Sequence, residues 1–476
     1  MDTTELRQVR RNLDRFLKRF DDCIATGPSR RHLRTYVGGQ IGDLPRKNAE
    51  AMALEAGVAP RTLVEFLGWH RWEEEQVRRR VQEIVIRDHG DEEATGVIDE
   101  TGMPKKGDKT VGVDRQYCGA SGKIDNCVVT VNLGYVTEDF HAVIDTELYL
   151  PKESWGQDQI RRREAGIPET LQYRPKWKIA LEQLERARDN GVPLHYVTAD
   201  ETYGACAEFR DGAAGLGLIY MVEVPRSTWG WTRRPHVVEP APSAGQGRPR
   251  TRPHLAAGSP TARRVDRLWR RGGPHWEMFH IKDTEKGPVV WEVRATRFWV
   301  SQESLPGPAG WLVVARNVLD GEVKYFLSNA PEDFPLEKLL AIAFSRWHIE
   351  RLFQDAKGEI GLDQFQVHQY LPVRRHLILS MVSLLFLMKE TTRLREKKPL
   401  VERAPGPRGR GSPTGPGPAA ERTHPTFEEA DGVAALSSDG APQSLSNPSS
   451  QTTSSTPPEG HLHLTVAEVL PCFVAE

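Results

Sequence analysis

Cysteine is scarce in this chain: five residues in 476, at positions 23, 118, 127, 206 and 472, with no CxxC pair among them. That spacing excludes a zinc ribbon, and an odd set of scattered thiols gives no disulfide framework and suits a reducing compartment. An apolar leader is missing as well. The opening stretch MDTTELRQVRRNLDRF is charged and amphipathic, which is not the pattern of a secretory signal. Crossing a bilayer takes about 20 apolar residues; the longest run here, Leu377 to Met388, falls short and reads as a buried helix, so no membrane is expected. Nor is there an excess of one charge, the net being -1. That balance averages unlike regions. Residues 401–476 hold four basic and nine acidic side chains, a net of -5, which leaves +4 on the first 400. Between Trp231 and His275, ten arginines stand against only Glu239 and Asp266, and so basic a patch attracts polyanions whatever the overall charge.

With 38% hydrophobic residues, 12 Trp and 15 Phe, the chain can bury a core over most of its length, and its length suggests two or three domains. Residues 1–90 read as helical. Leu6, Val9, Leu13, Phe16, Leu17 and Phe20 recur at steps of three and four, a second stretch covers Ala49 to Leu54, and a third runs from Thr62 to Ile86. Gly38-Gly39, Gly42 and Ala59-Pro60 punctuate them. Seventeen basic against fourteen acidic residues up to Gly90 fit a helical DNA-binding domain, or one that only packs on the core.

From Thr95 short β-rich runs follow: ATGVID, NCVVTVNLGYV and FHAVIDTELYLP. A helix from Lys176 to Asn190 ends at Gly191, and the strands LHYVTAD and LIYMVEVP come after it. This order is that of an RNase H-like mixed α/β sheet, with residues 91–225 as the first part of the core. Residues 226–331 interrupt it with an Arg/Pro-rich loop and a β-rich insertion. Residues 332–398 return helices to the core, one stripe running from Leu336 through Ile349 to Gly358. Residues 399–476 collapse into Pro, Gly, Ser and Thr and predict a disordered tail.

Three acids stand out by position. Asp99 ends the first strand (GVIDETG), Asp200 ends a later one (YVTADETYG), and Glu350 lies in an amphipathic helix (FSRWHIERLFQDAKGEIG). In a sheet of this order those two strands are neighbours, so both aspartates can project at one edge beneath the glutamate. Three hard oxygen donors around a cleft suit Mg²⁺, with Mn²⁺ as a substitute. Two such ions stabilise the attacking and leaving oxygens of a phosphodiester displacement. Taken singly, each acid also has an ordinary reading, as a turn-capping Asp or a Glu on a solvated helix face. In the Gly/Pro-flanked loop after Asp99, Lys105 and Lys106 are placed to meet phosphates, or to form a plain solvated turn.

The segment from Arg346 to Glu350, followed by Phe353 and Lys357, resembles the YREK signature of bacterial insertion-sequence transposases: a Tyr, an Arg, the catalytic Glu and a Lys at fixed helical spacings. Arg346, Glu350 and Lys357 match it, while Ala343 stands where the Tyr is expected, beside Phe344. The blocks VIDETGMPKKG, VGVDRQYCGASGKIDNC, VIDTELYLPKESW and TADETYG resemble one branch of the same enzymes and occur in the expected order. The resemblance implies a DDE-superfamily transposase, an endonuclease that cuts element ends with divalent metal and joins the freed 3′-hydroxyls to target DNA. It implies Asp99, Asp200 and Glu350 as catalytic metal ligands and double-stranded DNA as partner. A dimer in the end complex and a bacterial cytoplasmic, nucleoid-associated setting follow from it too. Arg346 and Lys357, on the glutamate's face of the helix, are expected DNA contacts, as is the Arg-rich stretch Arg248–Arg271, through phosphate rather than base edges. Tyr203, His348, Cys118, Cys127, Trp155 and Trp177 are expected to pack. Two other readings share part of the pattern: an inactive or repurposed DNA-binding descendant, and a host RNase H-like nuclease such as a junction resolvase.

Overall fold

In the computed structural model the described residues are 3–240, 252–269, 273–284 and 287–397. The tail expected at 399–476 lies outside them, as do residues 241–251 and 270–272 of the Arg-rich region. The first helix, α1 (Thr3–Lys18), follows the apolar stripe: Val9, Leu13, Phe16 and Leu17 are buried, and Phe16 meets Phe386 with ring centroids 5.4 Å apart. Helix α2 (Gly27–Ile41) starts at Thr26, whose hydroxyl accepts the Ser29 amide. It runs straight through Gly38-Gly39, which the sequence pattern reads as a break. Gly39 serves close packing instead, since a Cβ there would lie 2.6 Å from Met52 Cγ of α3 (Ala49–Glu55). The third expected stretch divides into α4 (Arg61–Gly68) and α5 (Glu74–His89). Between them Trp72 folds back, stacking on Phe66 and donating its indole N–H to the Phe66 carbonyl at 3.1 Å.

The sheet is built from β1 (Thr95–Pro104), β2 (Asp114–Cys118), β3 (Lys123–Val136) and β4 (His141–Leu148). After α6 (Gln159–Glu164) and α7 (Lys176–Asp189) come β5 (Tyr196–Ala199), α8 (Glu201–Gly204), α9 (Ala207–Gly215) and β6 (Ile219–Glu223). β1 lies between antiparallel β3 and parallel β5, and β6 runs parallel to β5. β4 pairs with the outer edge of β3, giving the order β6-β5-β1-β3-β4 of the expected RNase H-like sheet. The short β2, which the sequence reading does not include, shares that outer edge at residues 123–127. Nearly all of β1 and most of β3 are buried, so both faces are covered.

The insertion extends this same sheet. It contributes β7 (Trp229–Trp231), β10 (Arg263–Arg264), β11 (Glu277–Thr284), β12 (Gly287–Gln302), β13 (Leu305–Asn317) and β14 (Val323–Ser328), while β8 (Val237–Val238) and β9 (His254–Leu255) pair with each other in a separate two-stranded sheet. β14 pairs antiparallel with β6 through Phe326↔Glu223, Leu327↔Val222 and Ser328↔Met221. The long β12–β13 hairpin continues from there, so the open edge of β6 is covered.

Three helices follow: α10 (Leu336–Phe344), α11 (Trp347–Gly358) and α12 (Tyr370–Lys397). The single stripe expected up to Gly358 is therefore interrupted. At the break the Ser345 amide is shared between the Ala341 carbonyl at 3.0 Å and the Ile342 carbonyl at 3.3 Å, and Ser345 Oγ also donates to the Ile342 carbonyl at 2.8 Å. α12 packs against α2, α4, α5 and β4. Its span Tyr370–Leu394 is long and apolar enough to cross a membrane, yet 89% of that window is buried inside the protein, as the buried-helix reading expects. Buried charges bind the helical layer to the sheet: Arg78 lies 3.3 Å from Asp145, Arg186 lies 2.8 Å from Asp145, and Arg374 lies 3.6 Å from Glu147.

Candidate active site

Strand register sets the two aspartates together. β1 and β5 pair from Thr95↔Tyr196 to Ile98↔Ala199, so Asp99 and Asp200 are the next residues on adjacent strands, roughly 5 Å apart in the backbone. There the strands part. β1 does not end at Asp99, as the sequence reading has it, but continues to Pro104 paired only with β3. β5 stops because Asp200 caps α8, its carboxylate accepting the amides of Thr202 at 2.9 Å and Tyr203 at 3.4 Å. The capping role is real, and it holds the carboxylate at the mouth of the gap.

The pleat then sorts the neighbours. Asp99 shares a face with Val97 and Gly134, and on that face α11 lies close. A Cβ on Gly134 would sit 3.2 Å from Ile349 Cδ1, so the glycine lets the fully buried Ile349 approach and seats Glu350 beside the aspartates. Glu100 points the other way. There it pairs with Lys176 of α7 and accepts a hydrogen bond from the Tyr203 hydroxyl at 3.2 Å.

Arg346 joins strand to helix. Its guanidinium lies 3.0 Å from Asp99 Oδ2 and 3.0 Å from Glu350 Oε1. Burial pushes the Asp99 carboxyl up to about 7; Arg346 opposes the rise, and the charges of Asp200 and Glu350 add to it. Asp99 is buried, whereas the Glu350 side chain is 53% exposed. Together with Thr202, Phe353, Gln354 and Lys357 these residues line a cleft of about 600 Å³. A larger hollow of about 870 Å³ beside Trp229 and Trp231 contains none of the three acids.

The remaining expected site residues separate. Lys357 lies in the cleft wall on the last turn of α11, its pKa lowered by burial. Lys106 is exposed. Lys105 donates to the carbonyls of Asp363 at 2.8 Å and Phe365 at 2.9 Å, with its ammonium 3.3 Å above the Phe365 ring. As placed it braces β1 against the α11–α12 connection, outside the cleft. Tyr203, Trp155, Cys118 and Cys127 are buried, as expected, and His348 packs against Trp347. Missing from the sequence reading are Glu100, Lys176, Glu223, Lys282 and Lys324. The last three line a hollow of about 220 Å³ on the other side of Arg346, and the insertion strands supply two of them. No local motif announces residues that distant in sequence.

As placed, no three His, Cys, Asp or Glu side chains among the described residues converge tightly enough to grip one ion. In the cleft, a guanidinium stands between Asp99 and Glu350. The donor set nevertheless fits a hard divalent cation: every candidate atom is a carboxylate oxygen, and buried Asp99 beside two other acids calls for positive charge.

Residues 19–288 match the family described as DDE superfamily endonuclease, more than half of the chain. The chain belongs to that superfamily. The matched span contains Asp99 and Asp200 of this DDE endonuclease and stops short of Glu350. A probable transposase for the insertion sequence element IS701 of Microchaete diplosiphon is 27% identical over 340 residues, covering 70% of this chain and 75% of that protein. Among solved structures, the piggyBac transposase synaptic complex with hairpin DNA aligns at a TM-score of 0.38 and 8% identity, covering 79% of this chain and 69% of that one.

Proposed function

We propose that this DDE endonuclease is a DNA transposase that cuts duplex DNA at the ends of its own element and joins the freed 3′-hydroxyls to a target. The observation that carries the reading is the placement of Asp99 and Asp200 side by side where β1 and β5 part, with Glu350 tied into the same cleft through Arg346. The likeness to the IS701 transposase over 70% of the chain supports it.

In this reading Asp99, Asp200 and Glu350 would hold divalent ions, Mg²⁺ with Mn²⁺ as a substitute. Such ions, when bound, stabilise charge on the attacking and leaving oxygens of a phosphodiester displacement. The chain's own part is positional. The α8 amides fix the Asp200 carboxylate, the Glu100 amide donates to Asp99 Oδ1 at 2.8 Å, and Gly134 sets the height of α11 over the sheet. Arg346 and Lys357 place two cations on the glutamate's helix, where they would hold the phosphate oxygens of the strand being cut. Arg346 supplies positive charge to both Asp99 and Glu350, a role that a cation held by the three acids would share. The partner is double-stranded DNA, a dimer joins the two ends, and the work takes place on the bacterial nucleoid.

The test is a donor-excision assay with Mg²⁺ and a plasmid carrying the gene's flanking DNA, run beside Glu350→Gln. Breaks at the element ends from wild type alone are expected. Specific end binding without breaks, in Mg²⁺ and in Mn²⁺, would remove catalysis from the reading.

A further inference from the structure

The carboxylate cleft has a neighbour that shares its wall. Arg346 and Glu350 line the cleft on one side and the hollow of about 220 Å³ on the other. The floor of that hollow is aromatic. Trp291 of β12 lies against Phe344 with ring centroids 5.0 Å apart, and Phe326 of β14 lies 6.0 Å from the same ring. Trp291 is 4% exposed, and its indole N–H is buried with no acceptor among the described residues. Leaving a buried donor unpaired is costly, so this wall holds a hydrogen-bond donor that the protein itself does not use.

Charge points the same way. Lys324 pairs with Glu223 at 3.1 Å and Arg346 with Glu350 at 3.0 Å, which leaves Lys282 of β11 as the cation of the lining outside those pairs. Three cations against two acids give the lining a net of +1, and a DNA phosphate carries one negative charge. A bulge brings Lys282 there: the register with β12 slips between His280 and Lys282, and a bulge re-aims a side chain. The Lys282 ammonium stands 3.8 Å above the ring of Trp347, in the first turn of α11. Burial lowers its pKa while the charge of Glu350 opposes the fall.

We infer that this hollow is a second phosphate subsite, in which Lys282 and the Trp291 indole N–H hold one phosphodiester beside the one being cut, and Trp347 positions Lys282. The inference rests on the reading of this chain as a DNA transposase and adds that the insertion shares in gripping the substrate at the cleft. DNA lying in the cleft passes Arg346 to reach the hollow, so the phosphate held there is a near neighbour of the scissile one. Its source is the element end or the target brought up for joining, and the same chemistry recognises both.

The experiment uses the full chain and end duplexes in which the phosphates around the cut are replaced one at a time by uncharged methylphosphonate. In wild type, one replacement should weaken binding about tenfold. Lys282→Ala should lose a similar factor on unmodified DNA and lose nothing further at that one position, while staying sensitive at the others. Its plot of log K against log salt should be shallower by about 0.9, Lys282→Arg should recover most of the binding, and melting should stay close to wild type. Trp291→Phe and Trp347→Leu should each lose a smaller factor at the same position. The same replacements in a target duplex, with pre-cut ends supplied, distinguish the source: a loss absorbed by Lys282→Ala there alone assigns the subsite to the target. If no position in either duplex shows a loss that Lys282→Ala absorbs, the inference is overturned. Failure of the transposase reading looks different: wild type would then make no Mg²⁺-dependent breaks at the ends, while the binding comparison, which needs no cleavage, would still report on Lys282.

Discussion

The two aspartates and the glutamate reach the same cleft by different means. Asp99 and Asp200 are carried on neighbouring strands whose register is hydrogen-bonded from Thr95↔Tyr196 onward, and a helix cap fixes Asp200 further. Glu350 stands half-exposed on α11, a helix that begins at a break in the chain and is oriented by Ile349 packing over Gly134 and by the Arg346 bridge. The strand-borne pair is determined by the fold itself. The helix-borne acid depends on a few contacts that can give, which is what a site needs if one ligand must adjust as substrate and ions enter.

The largest effects should come from the acids, and they should divide along this line. Asp99→Asn, Asp200→Asn and Glu350→Gln are each expected to lower end cleavage by roughly 10³-fold or more while leaving DNA binding largely intact, because the three act as a unit. Their stabilities should differ. Glu350→Gln removes one exposed i,i+4 pair worth about 0.5 kcal/mol, and Asn at position 200 still caps α8, so both should melt close to wild type. In metal-free protein near neutral pH, Asp99→Asn removes a buried charge and should melt at or above wild type. Melting curves beside a cleavage assay check all three.

Arg346→Ala comes next. It removes the guanidinium that bridges Asp99 and Glu350, and cleavage should fall by roughly 10- to 100-fold. Arg346→Lys should restore only part of it, since one ammonium cannot span both carboxylates as the planar fork does. Equal activity in the two variants would show that charge alone matters. A smaller effect separates the lysines. Lys105→Ala should cost about 1–2 kcal/mol of stability through its lost carbonyl and ring contacts, with the salt dependence of DNA binding unchanged. Lys357→Ala should barely move the melting temperature and should weaken cleavage several-fold.

The smallest expected signal is a pH trend. The folded-state pKa of Asp99 is raised to about 7, against about 4 in an unfolded chain. The folded protein therefore binds this proton more tightly than the unfolded chain does. The contribution is fully present below the unfolded value and is lost as pH rises through about 7. Melting temperatures of metal-free wild type should fall relative to Asp99→Asn between about pH 5 and 8, and saturating Mg²⁺ should flatten the difference. A constant offset across that range would show that Asp99 does not titrate there.

The strand-borne half of the site was the more legible in sequence. GVIDETG and YVTADETYG each join a β-rich run to an acid at a turn, and the order of strands and helices makes those strands neighbours. Glu350 was legible through helical spacing and through the resemblance carried by Arg346 and Lys357. What escaped was the contact geometry. An apolar stripe at helical spacing does not reveal that Ser345 ends one helix and Arg346 starts another, because both halves keep the same buried face. Gly38-Gly39 looks like a break because the packing of Met52 against Gly39 exists only in three dimensions. Lys105 reads as a loop cation until the α11–α12 connection folds back over it. The joining of β14 to β6 links residues about a hundred positions apart, and no local pattern encodes it.

The most direct test of the central claim, that Glu350 completes a metal site begun by Asp99 and Asp200, is end cleavage by Glu350→Cys in Mg²⁺ and in Mn²⁺. A thiolate is a poor ligand for Mg²⁺ and a better one for Mn²⁺. The account predicts an enzyme silent in Mg²⁺ that recovers measurable cleavage in Mn²⁺, with end binding unchanged in both. Wild-type cleavage by Glu350→Cys in Mg²⁺ would contradict it and leave the two aspartates to find their third ligand elsewhere.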